Sequence, residues 1–233
     1  MVTDMVEKRE RKTWHIVVTV IAVVVFLYFM RPSGPSDLAA GEQTRLLDWA
    51  RQQLIATAQG EGRIALDMSL VTAPLAENGA CFVSLYIGDT LRGCMNDDFA
   101  AHEALVDNVL RNTVLAASGD ARFPPVTPDE VEDIRIAISV MTTPELVAYD
   151  TPDALVDKLG PGLDGVILTV GDGVSAYLPE VWDLFPDPNE FLSQLCLKQG
   201  LPRDRWRDEP YPRIETFRAF TFSEPEISAP DDA

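Results

Sequence analysis

Residues 81–96 read CFVSLYIGDTLRGCMN. Two strand-like runs, CFVSLYI and TLRGCM, flank the pair Gly88-Asp89, and glycine at the first loop position suits a two-residue type II′ turn. The stretch is therefore an antiparallel hairpin, which sets the class of the fold. With Gly88-Asp89 as the loop, Thr90 pairs with Ile87, Arg92 with Leu85 and Cys94 with Val83. Arg92 and Cys94 are two residues apart and so are expected on one face. Gly93 points the other way, where its missing side chain admits a ligand or another backbone.

Upstream, Arg31 to Ala40 (RPSGPSDLAA) is a linker, because Pro32, Gly34 and Pro35 oppose regular structure. A helix is predicted from residue 41 to about Gln59, with Leu47, Ala50, Leu54 and Ala58 on its apolar stripe. Downstream, Asp97 or Asp98 is expected to cap a helix from Phe99 to about Ser118 that stops at Gly119. The prolines of RFPPV (122–126) require extended chain. Thr127-Pro128-Asp129-Glu130 is a capping box with proline at N1, predicting one helical turn. Alternation at Ile134, Ile136, Ile138 and Val140 predicts a strand. Thr151-Pro152 opens a short helix, Val166–Val170 and Val174–Leu178 form a second hairpin, and Asp187-Pro188 starts a helix ending at Gly200. A last strand is expected near Arg213–Phe222. Hairpins among helices, without strict β-α-β alternation, predict an α+β domain with antiparallel sheet flanked by helices.

Trp14 to Met30 carries no charge and is almost wholly apolar. At about 1.5 Å per residue it spans about 25 Å, near the lower limit for crossing a bilayer. Bulky Tyr28, Phe29 and Met30 stand where a cleaved signal would need small residues, so an uncleaved transmembrane anchor in contact with lipid is expected. Four bases precede it (Lys8, Arg9, Arg11, Lys12) and only Arg31 and Arg45 follow closely. The N-terminus is thus expected in the cytoplasm and the domain outside, the alternative being a cytoplasmic domain. The expected organisation is a tail (1–13), an anchor (14–30), a linker (31–40), a domain (41–224) and a disordered acidic tail (225–233). Of 19 Lys and Arg and 37 Asp and Glu, 15 bases and 34 acids fall after residue 30. A domain this acidic repels a phosphate backbone, which excludes nucleic acid as a partner. Three cysteines and two histidines form no metal-ligand spacing, so neither a metal nor a cofactor is expected.

FVSLYIGDTLRGCMN (82–96) resembles the hallmark of the AMMECR-one family, an FVTL strand followed by LRGCIG. DARFPPVTPDEVEDI, IAISVMTTPE, GLDGVIL, LPEVW and FLSQLCLKQGLPRDRW follow in family order, so the resemblance runs over about residues 41–224. It implies a two-lobed α+β fold with the LRGC segment beside a cleft, and a family with no settled reaction. It also implies association with Memo-like or radical-SAM proteins as candidate partners. Asn96, Ala137 and Glu180 depart from the family pattern, Ala137 standing where glutamate is usual.

The guanidinium of Arg92 next to Cys94 would favour thiolate, the reactive form. One reading makes Cys94 a nucleophile and Arg92 its activator. The other makes Arg92-Gly93-Cys94 a cleft that binds a small molecule or partner, with Asn96, Asp120 and Arg122 in its lining. Against both stands a plain packing role for Cys94, an ion pair for Arg92 and a loop-fixing pair for Asp120 and Arg122. His102 is read as a solvated histidine, Cys81 and Cys94 as unpaired thiols, Cys196 as part of the core, and Lys198 as an unassigned surface base.

Overall fold

The computed structural model describes residues 38–226. The expected tail at 1–13 and anchor at 14–30, the linker up to Asp37 and residues 227–233 lie outside the described residues. Among the described residues no helix is long and apolar enough to cross a membrane.

Helix α1 (Ala40–Ala58) opens where the Glu42 carboxylate accepts the Ala39 amide at 2.9 Å. Its buried stripe is Leu46, Trp49, Ala50, Gln53 and Leu54. The stripe is rotated slightly from the expected one, leaving Leu47 and Ala58 only partly buried. A single turn, α2 (Ala73–Ala76), precedes the hairpin of β1 (Cys81–Ile87) and β2 (Thr90–Met95). Gly88 has φ +55° and Asp89 does not share a positive φ, which agrees with a type II′ turn. Helix α3 (Leu105–Ser118) begins later than expected. Asp98 accepts the Ala100 amide at 2.9 Å, a local turn rather than a helix cap.

A capped turn at Pro128–Asp133 leads into β3 (Ile134–Met141) and the short β4 (Glu145–Leu146). Helix α4 (Pro152–Val156), β5 (Gly165–Val170), β6 (Gly173–Tyr177) and helix α5 (Pro188–Lys198) follow. The expected final strand is in fact two, β7 (Arg213–Phe217) and β8 (Ala219–Ser223), parted at Arg218. They belong to different sheets: one is ordered β2-β1-β3-β8 and the other β4-β7-β5-β6. The chain crosses between the sheets at residues 142 and 218, and these crossings bond to one another. Thr142 N donates to Arg218 O at 2.8 Å and Arg218 N donates to Thr142 Oγ1 at 2.9 Å.

All ladders are antiparallel, as the hairpin predicts. Period-2 alternation divides the first sheet between two cores. Cys81, Val83 and Leu85 face α1 and α3, together with Leu46, Leu54, Val109 and Leu110. Phe82 faces the second sheet and packs with Ile167, Ala176 and Phe217. A third core joins α4 and α5 to the far side of the second sheet, where Trp182 stacks on Phe191 at 3.7 Å. Buried asparagines fix α3 to β1. Asn108 Oδ1 accepts the Cys81 amide at 2.9 Å, and Asn112 Nδ2 donates to the Cys81 carbonyl at 3.2 Å. Each otherwise unmade bond here would cost about 1–3 kcal/mol.

Candidate functional site

The register of the hairpin corrects the sequence reading. Cys94 pairs with Ser84 and Gly93 with Leu85, and the ladder then shifts so that Leu91 pairs with Tyr86. Arg92 is the extra residue of a β-bulge, which bends the strand and re-aims a side chain. Its guanidinium leaves the sheet for the segment after α3. Nε donates to Glu130 Oε1 at 2.7 Å, and Nη2 donates to Glu130 Oε2 at 3.1 Å and to the Pro125 carbonyl at 3.3 Å. The bond from Arg92 and those from Thr127 hold the Glu130 carboxyl down at about 2. Arg92 is therefore a structural tie, and the cations with the strongest influence on the Cys94 thiol are Lys198 and Arg122.

Gly93 is likewise committed to packing. A Cβ there would stand 2.2 Å from the Ala116 carbonyl oxygen of α3, so the close approach is to backbone and not to a ligand. Asn96 also turns inward, donating to the Cys81 carbonyl at 2.9 Å and contacting the Met141 sulfur at 3.2 Å. His102 pairs with Asp98 at 2.8 Å and is otherwise in solvent. Cys81 is buried, where desolvation pushes its thiol up, and Cys196 is buried in the third core.

Three of the expected residues do meet. Cys94, Asp120 and Arg122 gather on the outer edge of β2, which has no strand neighbour on that side among the described residues. Asp120 Oδ2 accepts the Cys94 amide at 3.0 Å, and Arg122 Nη2 donates to the Cys94 carbonyl at 3.3 Å. The two side chains thus satisfy an edge that would otherwise expose both groups. They also bind each other, with Arg122 Nε on Oδ1 at 2.9 Å and Nη2 on Oδ2 at 2.6 Å. Burial works to raise the Asp120 carboxyl, but the bonds from Arg122 and the Cys94 amide prevail and hold it at about 2.

The Cys94 thiol itself packs against the core between the two sheets, which holds Phe82, Ala176 and Phe217. Ser84 Oγ donates to its sulfur at 3.2 Å. From the opposite sheet comes Lys198, at the C-terminus of α5. Its ammonium donates to the Ala176 carbonyl on edge strand β6 at 2.8 Å and lies 4.9 Å from the Tyr177 ring centre. Desolvation draws Lys198 below its ordinary value, although the residue as a whole stays open to solvent. Tyr86, from β1, lies over this face under the guanidinium of Arg135, 4.9 Å from its ring centre.

The site is thus a seam where edge strands β2 and β6 approach. Burial is the largest influence on Cys94 and raises its pKa; the Ser84 bond and the charges of Lys198 and Arg122 oppose this without reversing it. The resting sulfur is a neutral thiol, suited to packing or ligand contact and poorly suited to attack. Ala137 is the cross-strand neighbour of Ser84. A glutamate at that position would stand one strand away from Cys94, so the departure at Ala137 falls inside the seam. Ser84 and Tyr177 carry no chemical signal in the sequence, and Lys198 reads there only as an unassigned surface base. The only available signal was the alternation that puts Ser84 on the face of Phe82; nothing local announces a lysine a hundred residues away.

Comparison with known proteins agrees with the hallmark. The AMMECR1 family profile matches residues 47–222. Protein MK0488 of Methanopyrus kandleri is 39% identical over 167 residues, covering 68% of this chain and 78% of its own. A protein of Methanothermobacter thermautotrophicus is 33% identical over 192 residues, covering 81% and 97%. The crystal structure of the uncharacterized protein PH0010 from Pyrococcus horikoshii superposes with a TM-score of 0.70 at 30% identity, covering 77% of this chain and 90% of that one. The hallmark, the α+β architecture and these relatives agree: the chain belongs to the AMMECR1 family.

Proposed function

We propose that this protein binds a small molecule in the seam between β2 and β6, with Cys94 at the floor. The observation that carries the reading is convergence. Ser84, Cys94, Arg122 and Lys198 come from four separate stretches of chain to one partly open place at the meeting of two sheets. Clefts between packed lobes are common ligand sites. The neutral, desolvated thiol favours a binding role over a cysteine nucleophile, which would require a stabilised thiolate. Low-molecular-weight cell extract should slow alkylation of Cys94 and raise the melting temperature of the protein. Extract that does neither would remove this reading.

The uncharged run Trp14–Met30 supports tethering of this domain to a membrane, with the cytoplasmic side at the N-terminus. Full-length protein should sediment with membranes and resist salt extraction. A reporter that is active only outside the cytoplasm, fused after Ala233, should be active. Intact protein in the soluble fraction would refute the tether, and an active cytoplasm-only reporter would reverse the orientation.

A further inference from the structure

The charge around Cys94 is unusual for this chain. After residue 30 acids outnumber bases by 34 to 15, yet Lys198 has no carboxylate within ion-pair distance among the described residues. The carboxylate that acts on it electrostatically, Asp120, is already engaged on both oxygens. Arg122 takes Oδ1 through its amide and Nε, while Oδ2 accepts the Cys94 amide and Arg122 Nη2. The Asp120 charge is thus matched by Arg122, and the ammonium of Lys198 is left over. Farther along the same face, Arg135 lies on Tyr86, and Glu180 accepts from Thr221 at 2.8 Å. Those two charges offset one another, so the seam holds a net positive charge in a strongly negative molecule.

The donors are also placed for a ligand. Lys198 uses one N–H on Ala176 and a face on Tyr177, leaving further donors. Arg122 uses Nε and Nη2, while no described residue takes its Nη1, and the side chain is half exposed. We propose that the seam recognises an oxyanion, a carboxylate or phosphate on a small molecule, between the ammonium of Lys198 and Nη1 of Arg122. This rests on the binding reading above and names its ligand class. Cys94 then meets the uncharged part of the ligand, and Asp120 positions Arg122 by holding its other edge. Two cations do not form a surface for a polyanion, and the repulsion of the whole domain favours a small, singly anchored group.

The test uses alkylation of Cys94 as its readout, since Cys81 and Cys196 are both wholly buried. Full-length protein in detergent is alkylated with iodoacetamide in inorganic phosphate and in sodium chloride of equal ionic strength, and intact mass gives the rates. Each variant is compared only with itself, which removes any effect of the substitution on the thiol. Phosphate is expected to slow wild-type alkylation severalfold, to have no effect in Lys198→Gln, and to keep part of its effect in Lys198→Arg. Equal rates in the two salts for wild type, or undiminished protection in Lys198→Gln, would overturn the proposal. Cell extract passed over an anion-exchange resin separates this proposal from the broader one. The protecting activity should be retained by the resin. Protection found in the flow-through would overturn the oxyanion and leave the binding seam, whereas extract that never protects removes both.

Discussion

Gly93 and Cys94 are adjacent in sequence but answer to different demands. The Ala116 carbonyl lies where a Gly93 side chain would begin, and it belongs to helix backbone that cannot yield cheaply. Gly93→Ala is therefore expected to cost about 3 kcal/mol or more, read as a lowered urea midpoint, because overpacking is relieved only by moving α3 from the sheet. Cys94 faces the opposite side. Cys94→Ala should retain ligand protection of melting temperature if the thiol only packs against the ligand, whereas complete loss of ligand stabilisation would show that sulfur is required. The sequence makes this strand and its turn legible because both are local, and it singles out Cys94, Asp120 and Arg122, which lie together in the fold. It misplaced Arg92 because the parity rule assumes an unbroken ladder. The bulge that re-aims Arg92 is accompanied by bonds to Pro125 and Glu130, more than thirty residues on, and no local pattern records those.

Among the elements, α1 is tied to the first sheet by the polar contacts of Arg51 as well as by its apolar stripe. Arg51 Nη1 donates to the Val131 carbonyl at 2.8 Å, and its Nε donates to Glu224 Oε1 at 2.9 Å. Glu224 Oε2 in turn accepts the Ile136 amide at 2.8 Å. This arrangement joins α1, the entry to β3 and the chain beyond β8. Glu224→Ala removes the anionic partner of a mostly buried guanidinium, which keeps the Val131 and Ile134 carbonyls, and leaves the Ile136 amide without its Glu224 acceptor; it is expected to cost about 2 kcal/mol in urea denaturation. The exposed pair Arg203–Glu190 is the control: Glu190→Ala should change stability by less than about 1 kcal/mol. Equal losses from the two substitutions would show that the Arg51 tie is no stronger than a surface pair. Most elements were legible from period and caps. The division of the last strand was not, because residues 213–222 keep β-forming composition across Arg218. The break comes from the crossing between sheets, where Thr142 supplies the bonds for Arg218. The sequence places the onset of α3 six residues before Leu105 because an Asx turn at Asp98 and a helix cap use the same residue type.

For the whole molecule, pH sets two electrostatic effects against each other. With a formal net charge of −18 at pH 7, the chain repels itself, and mild acid relieves that repulsion. The paired carboxylates act in the other direction. Asp120 and Glu130 are both held at about 2 in the folded protein, below their ordinary values of 3.8 and 4.5. A carboxyl whose folded pKa is depressed contributes stability above its unfolded pKa and loses it as pH falls toward the folded value, because the unfolded chain takes up the proton first. The window for this loss is therefore about pH 5 to 2. The Asp120 side chain is only 5% exposed, so screening by solvent is slight and its share at neutral pH is roughly 2 kcal/mol. Glu130 is depressed further, from 4.5, but at 30% exposure its contribution is discounted for solvent screening. Stability is thus expected to hold or rise from pH 7 to about 5 and to fall steeply below that. Asp120→Asn isolates the second effect. It removes the charge that Arg122 and the Cys94 amide hold, so the variant should be less stable than wild type by roughly 2 kcal/mol at pH 7. The gap should narrow through the window and nearly close by about pH 2, where the wild-type carboxyl is itself half protonated. Urea midpoints for both proteins at unit steps of pH make the comparison. A gap that stays constant with pH would show that Asp120 acts through shape and neutral hydrogen bonds alone, and that its charge contributes nothing to holding Arg122 on the edge of β2.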